Sequence, residues 1–400
     1  MILHVDLNSF YASCAVRDSG GLYTNDMCLA VAGDPNRRHG IILAATYPAK
    51  KFGIRAGMPL WQAMGRCPEL VVVPPDYRGY MDTSDKFMSV ICRYSPLVIR
   101  FGIDEAYLDY GGCERIFGPP MEAADRIRRD VCGEIGLTVS VGVGENMIRA
   151  KMGSDHKKPD AVTRLDDRAW KELIWPKPVE ELMYIGRATG NRLRGLGIST
   201  IGALAGTSPQ LLRAVFGVVG QDMWLHANGM DDRRITGIAE PQKGISHSMT
   251  LPDDLKDKNE ICRALLYQTE RVAGRLRETG KRARVVGVHV RYSDLSGEGR
   301  QTTLNCPSDI TAELYHEART LMLGMLKDKP VRQVGMRVSG LTEEPEQLSL
   351  FDGRERDKQH AVDRAVDSIR RCYGSHAVMR AGTMRFEYDP KEDFTPFSRA

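Results

Sequence analysis

The sequence predicts a multidomain protein that combines α/β and α+β units, and three observations support this class. The chain has 400 residues, which at about 150 residues per domain corresponds to two to four domains. Strand-like and helical patterns alternate over residues 1–164, whereas residues 165–236 contain short helical patterns only. Residues 243–342 then follow a β-α-β-β-α-β order, which is typical of ferredoxin-like units.

Composition and charge place the chain among ordinary globular proteins. Hydrophobic residues make up 42% and charged residues 27% of the sequence, as expected for domains with real cores. The net charge of +4 is too small to establish a nucleic-acid partner by itself. The sequence contains no run of about 18 apolar residues, so we expect no membrane span. The N-terminus lacks the basic and apolar regions of a signal peptide.

The nine cysteines are scattered and contain no Cys-x-x-Cys pair. We therefore expect neither a zinc site nor a disulfide framework. Reduced thiols in a cytoplasmic protein are the simplest interpretation.

Three acids are candidate metal ligands. Asp6 follows the apolar run at 2–5, and Asp104 and Glu105 lie between two further strand-like runs. Acids in apolar surroundings need charge compensation, and Mg²⁺ supplies it with carboxylates, phosphates and water as ligands. Taken singly, Asp6 is more simply a helix cap, and the Asp104-Glu105 pair is more simply an exposed turn.

The segments around these acids change that balance. HVDLNSFYAS at 4–13 and GIDEAYLD at 102–109 resemble the two palm motifs of the Y-family DNA polymerases, the translesion enzymes. The resemblance extends in order over nearly the whole chain. It implies a right-hand polymerase with these parts: a ferredoxin-like palm (1–18 and 76–164), small fingers (19–75), a helical helix-hairpin-helix thumb (165–236), a β-α-β-β-α-β little finger (243–342), and a tail (343–400) with a clamp-binding peptide and a terminal helix.

The resemblance also implies an activity and its metal site. It implies a template-directed DNA polymerase of low fidelity and processivity, which adds dNTPs to a primer 3′-hydroxyl during translesion synthesis. In this family the acids that match Asp6, Asp104 and Glu105, with the backbone carbonyl matching Leu7, ligate two Mg²⁺ ions, and Mn²⁺ can substitute. Tyr11 matches the steric-gate aromatic that excludes a ribose 2′-hydroxyl. The resemblance also places Phe10, the residue before it, at the nucleotide.

Two further segments are assigned to the triphosphate by the same resemblance. ATYPAKKFG at 45–53 is similar to the fingers segment in which Tyr47 and Lys50 contact phosphate oxygens. Many members carry Arg at this lysine, and Lys lacks the bidentate fork. Lys158 matches a lysine that contacts the triphosphate. The alternative for these lysines is a solvated helix surface.

DNA contacts are expected in the thumb and the little finger. In VEELMYIGRATGNRLRGLGISTIGALA at 179–205, Ile185 and Gly186 match the hairpin and Gly197 marks a second turn. Such hairpins direct backbone N–H groups at DNA phosphates, although glycines also simply interrupt helices. Eight bases and three acids lie between 271 and 300. They are interpreted as facing the duplex, or alternatively as a solvated helix face.

A pentapeptide in the polar tail resembles the bacterial sliding-clamp-binding motif. It offers two apolar anchors and a glutamine on a polar tether, and its residues are Gln347, Leu348, Ser349, Leu350 and Phe351. A short strand packed on its own domain is the alternative.

The expected partners are therefore primer–template DNA, dNTPs and the sliding clamp, with a monomeric enzyme in the cytoplasm. Two other interpretations remain open: a nucleotide cyclase with a similar palm, and a non-catalytic protein that binds DNA and the clamp. A cyclase needs no little finger or clamp peptide, and the presence of all three acids argues against loss of catalysis.

Overall fold

The computed structural model describes residues 1–33, 40–236, 241–343 and 353–386, and these form two compact units. The first unit comprises the described residues up to 236, and the second comprises those from 241 onward. No helix among the described residues is long and apolar enough to cross a membrane.

The first unit contains eight strands among its described residues. They are β1 (Ile2–Leu7), β2 (Leu29–Ala32), β3 (Ile42–Ala45), β4 (Val71–Val73), β5 (Val98–Arg100), β6 (Glu105–Asp109), β7 (Val139–Gly144) and β8 (Val162–Leu165). Twelve α-helices accompany them there. They are α1 (Phe10–Arg17), α2 (Tyr47–Lys51), α3 (Leu60–Arg66), α4 (Tyr77–Ile91), α5 (Glu114–Phe117), α6 (Pro120–Ile135), α7 (Met147–His156), α8 (Asp167–Ala169), α9 (Arg187–Gly195), α10 (Ile201–Ala205), α11 (Pro209–Phe216) and α12 (Val218–Ala227).

A five-stranded sheet in the order β5-β6-β1-β7-β8 forms the centre of the first unit. The central strand β1 pairs antiparallel with both β6 and β7. Side chains alternate between the two faces of a strand. Leu3, Val5 and Leu7 therefore enter one hydrophobic core, whereas His4 and Asp6 point to the opposite face. The predicted strand is confirmed, and it extends through Asp6 and Leu7 rather than stopping before them.

Helices cover both faces of this sheet. Phe87 of α4 and Ile127 and Val131 of α6 pack in the same core as the apolar side of β1. The other face carries α7, which follows β7 and packs against β7, β1 and β8. The face that carries Asp6 is therefore covered by a helix rather than open to water.

Glycines allow α7 to lie unusually close to the sheet. A Cβ atom added at Gly142 of β7 would overlap the backbone of Ala150 and Ser154 in α7. Gly153 approaches from the helix side, where an added Cβ would lie 3.1 Å from the Cα of Gly142. Close backbone contact is a specific use of glycine in a strand, and here it sets the height of α7 above β1.

A smaller sheet in the order β3-β2-β4 forms within residues 29–73. β2 pairs antiparallel with β3 and parallel with β4. Ile42, Ile54 and Leu60 contribute to a separate core under this sheet.

The helical segment after β8 begins with α8, which is followed by a π-helical turn, Trp170–Ile174, and a 3₁₀ turn, Val179–Glu181. The first helix of the expected helix-hairpin-helix is thus only one 3₁₀ turn, and the second is α9. Leu182, Ile185 and Leu193 pack in the core of this segment.

The second unit has the predicted β-α-β-β-α-β order, which is confirmed. Its elements are β9 (Gly244–Leu255), α13 (Lys258–Glu278), β10 (Arg282–Tyr292), β11 (Gly297–Ser308), α14 (Thr311–Met325), β12 (Val331–Thr342) and α15 (Gly353–Tyr373), with a 3₁₀ turn at Ala381–Thr383. The sheet order is β11-β10-β12-β9, and every neighbouring pair is antiparallel. Each helix-connected pair of strands is therefore split by a strand of the other pair.

The terminal helix α15 docks on this unit through buried ion pairs, which the sequence pattern did not predict. Arg277 Nε lies 2.6 Å from Asp367 Oδ2, and Arg277 Nη1 lies 3.2 Å from Asp363 Oδ2. Asp363 also accepts the Thr311 amide at 2.8 Å. Arg277 was expected to face a DNA duplex, and the structure corrects this because its guanidinium is held inside the unit. Arg284 and Arg291 of the same basic run are exposed.

We expect Gly142→Ala to lower the free energy of unfolding by about 1–3 kcal/mol, because the added methyl would force α7 away from β7. Gly133→Ala is the matched control. Gly133 lies on the exposed side of α6 with open space around it, so the change should be neutral or stabilise by up to about 1 kcal/mol. Urea unfolding of both variants measures the difference. Equal effects of the two changes would contradict the close packing assigned to Gly142.

Candidate active site

The three candidate acids lie together at one end of the five-stranded sheet. Asp6 of β1 lies directly opposite Glu105 of β6 in the strand register. The Leu7 amide donates to the Asp104 carbonyl at 2.9 Å. In an antiparallel ladder the amide and carbonyl of one residue face the same neighbour, so the Leu7 carbonyl also faces the turn that carries Asp104.

The turn that presents Asp104 is held from two sides. The Ser84 hydroxyl of α4 donates to the Ile103 carbonyl, and Ser84 is fully buried. The amides of Phe101 and Gly102 both donate to the Glu105 carbonyl, at 2.9 and 3.2 Å. Asp104 is thus presented by a turn with fixed backbone rather than by a free loop.

Two lysines contribute the positive charge that these acids require. Lys151 Nζ lies 3.1 Å from Asp6 Oδ2 and 2.8 Å from Glu105 Oε1. Lys158 Nζ lies 2.9 Å from Asp6 Oδ1 and 2.9 Å from Asp155 Oδ1. Burial alone would lower the pKa of each lysine, but Asp6 and Asp155 outweigh it and raise both pKa values.

Lys158 was predicted as a site residue, and Lys151 was missed. A signal was available, because Lys151, Asp155 and Lys158 follow helical spacing and therefore share one side of the segment. That spacing alone could not show that this side faces β1 rather than solvent.

Asp104 is the acid whose charge is least compensated. Its pKa is raised to about 7, first by burial and then by Asp6 and Glu105. Two neighbouring carboxylates disfavour a third negative charge, whereas Lys151 opposes this effect only partly. A site with an excess of negative charge of this kind is suited to a divalent cation.

His4 and Ser154 form a second layer behind the acids, and neither was predicted. The His4 side chain is fully buried, with Nδ1 2.8 Å from Ser154 Oγ and Nε2 3.5 Å from Glu105 Oε2. Burial, followed by Lys151, lowers the pKa of His4 to about 3. His4 is therefore neutral, and it supports Glu105 by position rather than by charge.

Tyr11 lies at the edge of the acids. Its ring packs 4.7 Å from that of Tyr80, measured between centroids. Its pKa is raised to about 12, first by burial and then by the negative charge of Asp104. Phe10 is only 2% exposed and belongs to the core, so it supports Tyr11 instead of reaching a nucleotide.

Two of the predicted triphosphate residues, Tyr47 and Lys50, lie next to each other. Lys50 Nζ donates to Ser9 Oγ at 2.7 Å and lies 4.5 Å from the ring centroid of Tyr47. Burial, and then Lys158, lowers the pKa of Lys50. Burial raises the pKa of Tyr47, and Ser9 and Lys158 partly oppose this shift.

Comparisons with known proteins agree with this geometry. Residues 5–155 match the impB/mucB/samB family, and residues 242–350 match the C-terminal domain of that family. DNA polymerase IV of Alkaliphilus oremlandii is 36% identical over 393 residues, which cover 95% of this chain and 98% of the relative. DNA polymerase IV of Acetivibrio thermocellus is 38% identical over 387 residues, which cover 95% and 96%.

The chain belongs to the DNA polymerase IV family of translesion polymerases. The solved Y-family DNA polymerase chimera Dbh-Dpo4(243-245)-Dbh shares its fold, with a TM-score of 0.74 and 22% identity over 86% of this chain and 99% of the chimera. The family and the right-hand polymerase fold that were predicted are therefore confirmed. The match over residues 242–350 is not expected of a nucleotide cyclase and argues against that alternative.

The expected thumb contacts of this family member need a correction. The Ile185 amide donates to the Leu182 carbonyl at 3.0 Å, and the Gly197 amide donates to the Arg194 carbonyl at 2.9 Å. Both amides are thus used within the segment and are not free for DNA phosphates. Gly186 precedes α9 as its N-cap. The exposed Tyr184 has a positive φ of 73° at this hairpin.

The clamp-binding peptide, Gln347 to Phe351, lies outside the described residues.

The donor set of the acid site fits a divalent metal. It consists of three carboxylates and a backbone carbonyl, which are the hard oxygen ligands that Mg²⁺ prefers. The Lys151 ammonium contacts both Asp6 and Glu105, so a cation is already required at this position. The three carboxylates are not all within 4.8 Å of one another among the described side chains.

In metal-free protein, ionisation of Asp104 destabilises the fold increasingly as the pH rises. Asp104→Asn should remove this destabilisation. The folded-state pKa of about 7 exceeds the value of about 3.9 for an unfolded aspartate. The folded chain therefore holds this proton more tightly, and the stabilisation is complete below about pH 4 and lost as the pH rises through about 7. The variant should be more stable than the wild type at pH 8 by about 1–3 kcal/mol, after allowance for partial exposure.

Urea unfolding in the presence of a chelator at pH 5 and pH 8 measures this effect. The difference between variant and wild type should shrink toward pH 5. Asp82→Asn, at an exposed position on α4, is the control and should show no such trend. A variant that gains the same stability at both pH values would refute the assignment.

Proposed function

We propose that this site transfers the nucleotidyl group of a dNTP to a primer 3′-hydroxyl under the direction of a DNA template. The observation that carries the proposal is the cluster of Asp6, Asp104 and Glu105 beside two lysines, on a chain related over 95% of its length to a DNA polymerase IV. The expected function is translesion synthesis of low fidelity and low processivity, carried out in the cytoplasm.

Asp6, Asp104, Glu105 and the Leu7 carbonyl would hold the metal ions. Membership in the family implies dependence on a divalent metal, and we propose two Mg²⁺ ions, for which Mn²⁺ can substitute. When bound, these ions stabilise the negative charge on the phosphate oxygens during the transfer. The fixed strand register and the turn behind Ser84 keep the carboxylates oriented without a free loop.

The basic side chains beside the acids would bind the triphosphate. Lys158 contacts Asp6 directly, and Lys50 lies 4.5 Å from the ring centroid of Tyr47. In the ligand-free protein, Lys158 is paired with Asp6 and Asp155, and Lys50 is paired with Ser9. A triphosphate would displace Ser9 from Lys50, because a contact between two charged groups is stronger than a contact to a neutral hydroxyl. At Lys158 it would compete with the carboxylates of Asp6 and Asp155.

Tyr11 would exclude ribonucleotides. Its ring is wedged against Tyr80 and supported by the buried Phe10, so it cannot easily swing away from a sugar. The selection would therefore depend on the volume of the ring rather than on its hydroxyl.

The second unit would grip the DNA backbone with the open face of its sheet. Arg291 of β10 and Arg337 of β12 are exposed, whereas Val286, Val288 and Val290, which alternate with Arg291 along β10, are buried in the core of this unit. Contacts of this kind supply affinity and salt dependence with little sequence preference.

Primer extension tests the function directly. Asp104→Asn should reduce dNTP incorporation by about 100- to 1000-fold, because a lost electrostatic contribution to the transition state costs that much. Asp109→Asn is the matched control, since Asp109 lies on β6 four residues from Glu105 and binds the Gly111 amide. Wild-type protein that binds primed DNA but does not extend it with any divalent ion would favour the non-catalytic alternative.

The gate is tested by comparing dNTP and rNTP incorporation. Tyr11→Ala should raise the kcat/KM for rNTPs relative to dNTPs by about tenfold or more, because the removed ring opens space for the 2′-hydroxyl. Tyr11→Phe keeps the ring and should keep the discrimination. If Tyr11→Phe relaxes the selection as much as Tyr11→Ala, the hydroxyl rather than the ring volume is responsible.

The clamp-binding proposal concerns Leu350 and Phe351. Changing both to Ala should abolish stimulation by a bacterial sliding clamp, since the peptide loses its apolar anchors and the tethering that raises the effective DNA concentration. Extension without the clamp should stay near the wild-type rate. Loss of both activities would indicate misfolding and would not support the assignment.

A further inference from the structure

Away from the acid site, we propose that Cys28, Cys67 and Glu69 form a binding site for one thiophilic divalent metal ion such as Zn²⁺. The sequence contains no Cys-x-x-Cys pair, and β2, β3, α2 and α3 lie between the two cysteines in the chain. The fold, however, brings them together with a carboxylate.

The backbone around these three residues is well fixed. Cys28 immediately precedes β2, and its carbonyl accepts the Val71 amide of β4 at 2.9 Å. Cys67 ends α3 as its C-cap, and its carbonyl accepts the Leu70 amide at 3.0 Å. The parallel pairing of β2 with β4 therefore places both cysteines and Glu69 at the same end of the small sheet.

The ligand atoms are already near coordinating distance. The two sulfurs and a Glu69 carboxylate oxygen all lie within 4.8 Å of one another. Two thiolates bound to tetrahedral Zn²⁺, with Zn–S bonds of about 2.3 Å, lie about 3.8 Å apart. The sulfurs thus need to approach by no more than about 1 Å. No other group of three or more His, Cys, Asp or Glu residues is as tight within the described parts of the chain.

The burial of the three ligands suits an open metal site. Cys67 is 1% exposed, Cys28 is half-buried and Glu69 is exposed. Three protein ligands with one side open to water is the arrangement of zinc sites that keep a free coordination position. Two sulfur ligands favour Zn²⁺ over the Mg²⁺ expected at the palm acids.

A metal ion would also compensate the negative charge of the two thiolates and the Glu69 carboxylate. Thiolates beside a carboxylate repel one another unless a cation lies between them. Binding would therefore release thiol protons, and the affinity should rise with pH. The bound ion would connect α3 to β2 and β4 and stabilise the folded protein.

The test uses the full reduced chain, freed of metal and titrated with Co²⁺ and Cd²⁺. We expect one ion per chain to produce a thiolate-to-metal charge-transfer band in the ultraviolet. The palm acids offer oxygen ligands only and cannot give this band. Cys28→Ser and Cys67→Ser should remove it, and Glu69→Gln should weaken binding at least about tenfold, the lower end of what lost supporting contacts cost a metal site.

The double variant Cys92→Ser, Cys132→Ser is the matched control, because both thiols are exposed, and it should keep the band. Glu69→Gln decides the matter if the buried Cys67→Ser variant fails to fold. Absence of the band in the wild type, or a band unchanged by Cys28→Ser and Glu69→Gln, would overturn the proposal. A Cys28–Cys67 disulfide in thiol counts would also overturn it, because oxidised sulfurs cannot act as thiolate ligands.

Discussion

The close packing of α7 against the glycines of β7 is the constraint on which the catalytic centre depends. Gly142 and Gly153 let the helix backbone lie against the strand backbone. That closeness carries Lys151 to within hydrogen-bond distance of Asp6 and Glu105. Three acids at the covered end of a sheet would otherwise be strongly unfavourable, since buried charge must be paired.

The pairing explains how a protein can keep such a site folded before metal and substrate arrive. Lys151 and Lys158 contact the carboxylates directly, and the uncompensated remainder appears as the raised pKa of Asp104. Metal ions and a triphosphate would replace these internal partners with external ones. Behind the acids, His4 is held by Ser154 and lies against Glu105.

The second unit uses arginines in two ways, on an exposed sheet face and in buried ion pairs. Its sheet uses one face for an apolar core and leaves arginines on the other, as an antiparallel sheet can. Arg277 shows that a base in a basic run need not face a ligand, since it forms buried ion pairs with Asp363 and Asp367 of α15. A polar terminal helix can therefore be fixed to its domain without an apolar stripe.

The sequence by itself determined the family, the order of elements and the identity of the three acids, because each depends on local patterns. Asp6 after an apolar run and the Asp104-Glu105 pair between two runs are readable in one dimension, as is the β-α-β-β-α-β order. Lys151, His4 and the Cys28–Cys67 pair were decided only by the tertiary structure. Their roles depend on which face of a helix or strand meets which neighbour, and that is set by long-range packing and strand register.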